Sequence, residues 1–130
     1  MTVYLDSSAA AKLLVAEAET RALVDYMQQA TQRGQRIIAC ALLETELRRL
    51  AARRDLSQGD VTLIIARLDI VDLDRACYRQ AGLLSGPNLR SLDAIHVAAA
   101  LWGGADSMIT YDQRQADAAQ ESGLAVVAPS

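Results

Sequence analysis

At 130 residues, 52% hydrophobic and 22% charged, the chain has the make-up of a compact globular protein rather than a disordered segment. Thirteen basic against sixteen acidic residues give a net charge of −3, which on its face speaks against a nucleic-acid partner. Two cysteines, Cys40 and Cys77, exclude a disulfide framework or a Cys-rich zinc site. In chain order, Val3–Leu5 predicts a first strand, followed by helices over 8–14 and 18–32. Arg36–Cys40 predicts a second strand, with helices over 41–54 and 57–68 behind it. Ile70–Leu73 is a third, followed by helices over 75–85 and 91–102. Ser107–Tyr111 is a fourth, leading to a helix over 113–122, and Leu124–Val127 is the fifth. Ser57 and Ser91 read as N-caps, and Gly34, Gly103 and Gly123 as stops. Strands alternating with helices predict an α/β fold, a mostly parallel sheet with helices on both faces, and one domain spanning 1–130. Asp6 interrupts the apolar start, and the longest charge-free run, Ala94–Ala105, is too short to span a bilayer. A reduced, cytoplasmic chain with no membrane contact is therefore expected.

In open α/β sheets, ligands bind just beyond the carboxyl ends of the strands. Asp6 follows the first strand directly, Asp112 follows the fourth, and the helix after the second carries Glu44 and Glu46. At about 100° per residue, Glu46 falls within the apolar stripe of Leu42, Leu43, Leu47 and Leu50, whereas Glu44 points outside it. An inward carboxylate needs a cation or hydrogen-bond donors, so Glu46 needs a partner and Glu44 is a solvated residue. The segment Ser91–Trp102 is apolar all round except for Asp93, in its first turn, and His96. Taken singly, Asp93 serves the helix dipole, and Asp6 and Asp112 cap the helices that follow them. Taken together, four acids at one sheet edge repel one another and imply a bound cation. Hard oxygen ligands without a His or Cys cluster favour Mg²⁺ or Mn²⁺, whose chemistry suits phosphate esters.

Four stretches in this order resemble the PIN-domain ribonucleases, specifically the VapC-type toxins of type II toxin–antitoxin systems. They are YLDSSA at 4–9, ETELRRL at 44–50, LRSLDAIHVAAAL at 89–101 and ITYDQRQADAA at 109–119. The third is the most specific. The resemblance implies a PIN-like three-layer fold with about five strands, and it maps the family's acidic positions onto Asp6, Glu46, Asp93 and Asp112 as catalytic and metal-holding residues. Glu44 replaces Glu46 if the helix register is shifted, and Asp117 is a further candidate for the metal shell. The resemblance also implies Mg²⁺- or Mn²⁺-dependent cleavage of RNA (tRNA or an rRNA loop), a homodimer, a VapB-type antitoxin, and contact with operator DNA only through that antitoxin.

Arg90, just before the Asp93 helix, is a candidate phosphate contact, and Ser7 a candidate for substrate or metal-side contact. Arg48, Arg49, Arg53 and Arg54 read either as a solvated face or as contacts to an RNA backbone or an acidic partner. His96 is expected to be a hydrogen-bonded packing residue, and Tyr4, Tyr26, Tyr78 and Tyr111 packing residues. A haloacid-dehalogenase-type phosphatase would place an acid at position 8, where this chain has Ser8; it and a phospho-receiver both need a late lysine, and the sole lysine is Lys12. Two other functions remain open: a catalytically silent binding module, and a nuclease acting on structured DNA.

Overall fold

The computed structural model describes residues 1–130. Its elements run β1 (Thr2–Leu5), α1 (Ser7–Leu14), α2 (Thr20–Gln32), β2 (Arg36–Cys40), α3 (Ala41–Arg54), α4 (Gln58–Ile65), β3 (Asp69–Val71), α5 (Arg75–Leu83), α6 (Ser91–Trp102), β4 (Ser107–Ile109), α7 (Gln113–Glu121) and β5 (Ala125–Val127). Every expected element is present, and the sheet is wholly parallel in the order β3-β2-β1-β4-β5. β1 is the central strand. Its neighbours are β2 on one side and β4 on the other, so the crevice between β1 and β4 lies where the strand order reverses direction.

Period-two alternation splits the core into two layers, one on each face of the sheet. Val3 and Leu5 of β1 point to one face with Ile37 and Ala39, where they meet Leu23 and Met27 of α2, Leu43 and Leu47 of α3, and Val61 of α4. Tyr4 points to the other face with Ile38, Cys40 and Met108, against Val97, Ala99 and Ala100 of α6 and Ala118 and Ala119 of α7. α5 is fastened to the outside of α6 by small residues, with Cys77 and Ala81 packed on Ala94 and Ala98. Alanine-rich α6 is thus sandwiched between sheet and helix, and its small side chains permit the close approach.

Local signals explain several boundaries. Ser57 caps α4 by accepting from the Asp60 N–H, and Asp74 caps α5 by accepting from that of Cys77. Gly34 terminates α2 in the left-handed region, at φ 76°. Ser91 proves to be the first helical residue of α6, and the N-cap is Arg90, which makes no side-chain cap. Tyr78 is also not a packing residue: it stands 52% exposed on the outer side of α5. No helix is long and apolar enough to cross a membrane.

Candidate active site

Asp6 leaves the end of β1 and Asp112 lies just past β4, while the Asp6 N–H donates to the Ile109 carbonyl at 3.1 Å and locks the two strand ends together. Asp6 is 4% exposed, and three side chains hold it. Its Oδ2 accepts from Ser8 Oγ at 2.9 Å and Thr110 Oγ1 at 2.7 Å, and its Oδ1 accepts from Gln115 Nε2 at 3.2 Å. As the N-cap residue of α1, Asp6 makes no side-chain cap, so its carboxylate is free of that duty. Asp112 does cap: its Oδ1 accepts from the Arg114 and Gln115 N–H groups at the start of α7.

Asp93 enters from the first turn of α6, and it differs from the other acids. Burial, then the neighbouring charges of Asp112 and Asp6, push its carboxyl above the usual aspartate range, against the weaker pull of Arg90 and His96. Its Oδ2 is buried with no hydrogen-bond partner, the nearest cation being Arg90 Nε at 3.8 Å. Asp6, Asp93 and Asp112, from three different elements, therefore share one electrostatic neighbourhood, and one of their buried oxygens lacks a donor.

Glu46 joins from α3 by another route. Its Oε1 accepts from Ser7 Oγ at 2.7 Å and lies 2.7 Å from His96 Nε2. Ser7 Oγ is itself 2.9 Å from that nitrogen. Behind the ring, His96 Nδ1 lies 2.7 Å from the Tyr4 hydroxyl, which also accepts from the Cys40 N–H at 3.3 Å. Desolvation opposes charge on Glu46, but the bonds from His96 and Ser7 outweigh it and hold the carboxyl below its usual range. Burial likewise opposes charge on His96, yet hydrogen bonding to Cys40 and Glu46 and the charge of Asp6 raise it to about 10. Burial similarly resists the Cys40 thiolate, and the adjacent imidazolium overrides it to bring that thiol down.

The other named residues separate cleanly. Glu44 pairs with Arg48 at 2.8 Å, and that arginine also reaches Gln58 and Thr62 of α4; Asp117 accepts from Gln113 on the exposed side of α7. Lys12 binds Glu17 and Glu19 and lies 4.8 Å from the Tyr111 ring centre. Arg90 is 70% exposed beside Asp93. Thr110, Gln115 and Tyr4 are the contributors that sequence reasoning missed. Only the strand-end position of Thr110 hinted at its place, since all three act through partners more than 35 positions away.

A hard divalent ion fits this donor set. The acids offer only oxygen, and the unpartnered Asp93 Oδ2 and the raised Asp93 carboxyl are what an unbalanced negative cluster produces. No three of the chain's His, Cys, Asp and Glu side chains close on one ion position. Mg²⁺ makes no such demand, because it is commonly held by one or two carboxylates together with waters and substrate phosphate.

Residues 3–121 match the PIN domain family. Ribonuclease VapC35 of Mycobacterium tuberculosis is 41% identical to this chain, the alignment covering 98% of the chain and 96% of the relative. Ribonuclease VapC46 of the same species is 39% identical over 98% of both. Among solved structures, VapBC2 of Rickettsia felis bound to a promoter DNA fragment superposes with a TM-score of 0.80 at 14% identity, covering 98% of each chain. The M. tuberculosis sarcin-ricin-loop-cleaving toxin VapC20 does so at 0.70 and 16%, covering 98% of this chain and 99% of that one. At those identities the superpositions speak for the fold alone; the sequence matches go further, and the chain belongs to the PIN-domain family, within its VapC ribonuclease branch.

Proposed function

We propose that this protein is the endoribonuclease toxin of a VapBC-type module, hydrolysing RNA phosphodiester bonds at the Asp6–Asp93–Asp112 cluster with Glu46 as fourth acid and Mg²⁺ or Mn²⁺ as cofactor. The observation that carries it is the buried, unpartnered Asp93 oxygen within a group of mutually repelling carboxylates at the β1–β4 crevice. One or two of Asp6, Asp93, Asp112 and Glu46 would hold the metal directly, and the others would act through its waters. When bound, a divalent ion lowers the pKa of a coordinated water and stabilises charge developing on a scissile phosphate. The chain's own residues do the rest. Ser8, Thr110 and Gln115 orient Asp6, the start of α7 orients Asp112, and Arg90 stands at the rim for an adjacent phosphate. Ser7 serves the site by its bond to Glu46.

The family resemblance supports a single domain over 1–130, a VapB-type antitoxin partner, a homodimer, operator contact only through the antitoxin, tRNA or rRNA as substrate, and a cytoplasmic setting. The test is cleavage of a panel of tRNA, rRNA-loop and single-stranded RNAs by purified protein, alongside structured DNA. The expected result is RNA cleavage that requires Mg²⁺ or Mn²⁺, stops with EDTA and is lost in Asp93→Asn. Folded wild-type protein that cuts no RNA under these conditions, or cuts only DNA, overturns the proposal in favour of a binding module or a DNA nuclease.

A further inference from the structure

We infer that His96 is a positioning residue for Glu46, clamping that carboxylate in one orientation from inside the core. The inference rests on the reading of Glu46 as a site acid. His96 sits on α6 one turn after Asp93 and is 1% exposed, so it cannot itself meet a substrate. A histidine with only a packing role satisfies its nitrogens by whatever is nearest, commonly backbone carbonyls. Both nitrogens of His96 are instead spent on side chains from other elements. Nδ1 is anchored on the Tyr4 hydroxyl of β1, and Nε2 reaches Glu46 Oε1 and Ser7 Oγ.

The anchor is rigid. The Tyr4 ring meets the His96 ring edge to face, with centroids 5.8 Å apart at 68°, and Tyr4 is fully buried. Its hydroxyl is fixed in turn by the Cys40 N–H at the junction of β2 and α3. The chain of contacts therefore begins in the backbone at the foot of α3 and returns to Glu46 on that same helix. Glu46 is a long side chain, 29% exposed, with several rotamers open to it in solvent. Two short bonds converging on Oε1 select one of them, while Oε2 accepts no hydrogen bond from the protein. That leaves a single carboxylate oxygen open at a fixed place. Outer partners that orient a ligand in this manner are commonly worth about 10–100-fold in activity or metal affinity.

Asparagine and glutamine at position 96 separate this role from packing. His96→Asn keeps an amide near Nδ1 for Tyr4 but falls short of Glu46, whereas His96→Gln carries an amide nitrogen out to the Nε2 position. The expected result is an RNA-cleavage loss of about 10–100-fold in H96N, largely recovered in H96Q, with the two variants melting within a few degrees of each other. E46Q/H96N should be no slower than E46Q, because both changes break one unit. In metal-free wild-type protein, E46Q should shift the His96 Nε2 resonance in a ring-¹⁵N NMR spectrum, a readout needing neither activity nor a position-96 variant. H96N as active as wild type, H96Q as impaired as H96N, or an unmoved resonance overturns the inference while the Glu46 assignment stands. Full activity in E46Q instead removes Glu46 from the site, and the inference with it.

Discussion

At the scale of single residues, the four acids are held in four different ways. Asp6 is saturated by three donors, Asp112 caps a helix, Glu46 is bound to Ser7 and His96, and Asp93 alone keeps a buried oxygen with no donor. Burial and like charge make Asp93 the acid that most destabilises the metal-free fold. Asp93→Asn should therefore raise the melting temperature of EDTA-treated protein by a few degrees, by calorimetry, while lowering cleavage by about 100-fold or more. A fall in both quantities would assign Asp93 a structural role. The Glu46–His96 pair predicts a pH profile of opposite signs at its two ends. His96, raised from 6.5 to about 10, contributes stability that is complete below pH 6.5 and drains away as pH climbs towards 10. Glu46, depressed below 4.5, contributes above pH 4.5 and loses that as pH falls through its folded value. Thermal melts of metal-free protein should thus be most favourable between these limits, and His96→Gln should flatten the alkaline decline. What was legible at this scale was that Asp6, Asp93 and Asp112 would gather at one edge of the sheet. The supports of the four acids, Thr110, Gln115 and Tyr4, were not legible, because each is an ordinary strand or helix residue until its distant partner is known.

At the scale of elements, α7 joins structure to the proposed chemistry through Asp112, and two substitutions pull these apart. Asp112→Ala removes the acceptor for two N–H groups and should cost about 1 kcal/mol of stability in denaturant melts. Asp112→Asn keeps a good N-cap while discarding the charge, so it should melt close to wild type and still lose most cleavage. α6 is set by a glycine: a Cβ on Gly103 would come within 2.5 Å of Ile38 Cδ1 and 3.3 Å of the Ala99 carbonyl. Ile38 is fully buried and has little room to yield, so Gly103→Ala should destabilise by about 1–3 kcal/mol in the same assay. The element boundaries followed from local chemistry wherever a cap existed, as at Ser57. At α6 the expected span, 91–102, matches the observed helix, but the cap does not: the N-cap is Arg90, without a capping side chain, and Ser91 is already helical. β4 ends at Ile109, short of the expected Tyr111, and Thr110 at its end sends its side chain to Asp6.

At the scale of the whole molecule, net charge proves a poor guide to partners. Setting the four site acids aside leaves thirteen basic against twelve acidic residues, a net +1, and twelve of the thirteen are arginine. Composition counted the candidate cation site as if it were surface. The α/β class was legible because strand and helix periods alternate cleanly, whereas the order β3-β2-β1-β4-β5 depends on long-range pairing that no local pattern records. That order has a consequence for how the protein is made. Asp6 emerges from the ribosome among the first residues, but its donors Thr110 and Gln115 follow 104 and 109 positions later, and β1 lacks one of its two neighbours until β4 arrives. A chain cut before residue 106 carries Asp6, Glu46 and Asp93 but lacks Asp112 and two of the three donors that hold Asp6. Its expected ribonuclease activity is nil, measurable on a 1–105 fragment. The strand order thus leaves the candidate site incomplete until nearly the whole chain has been made.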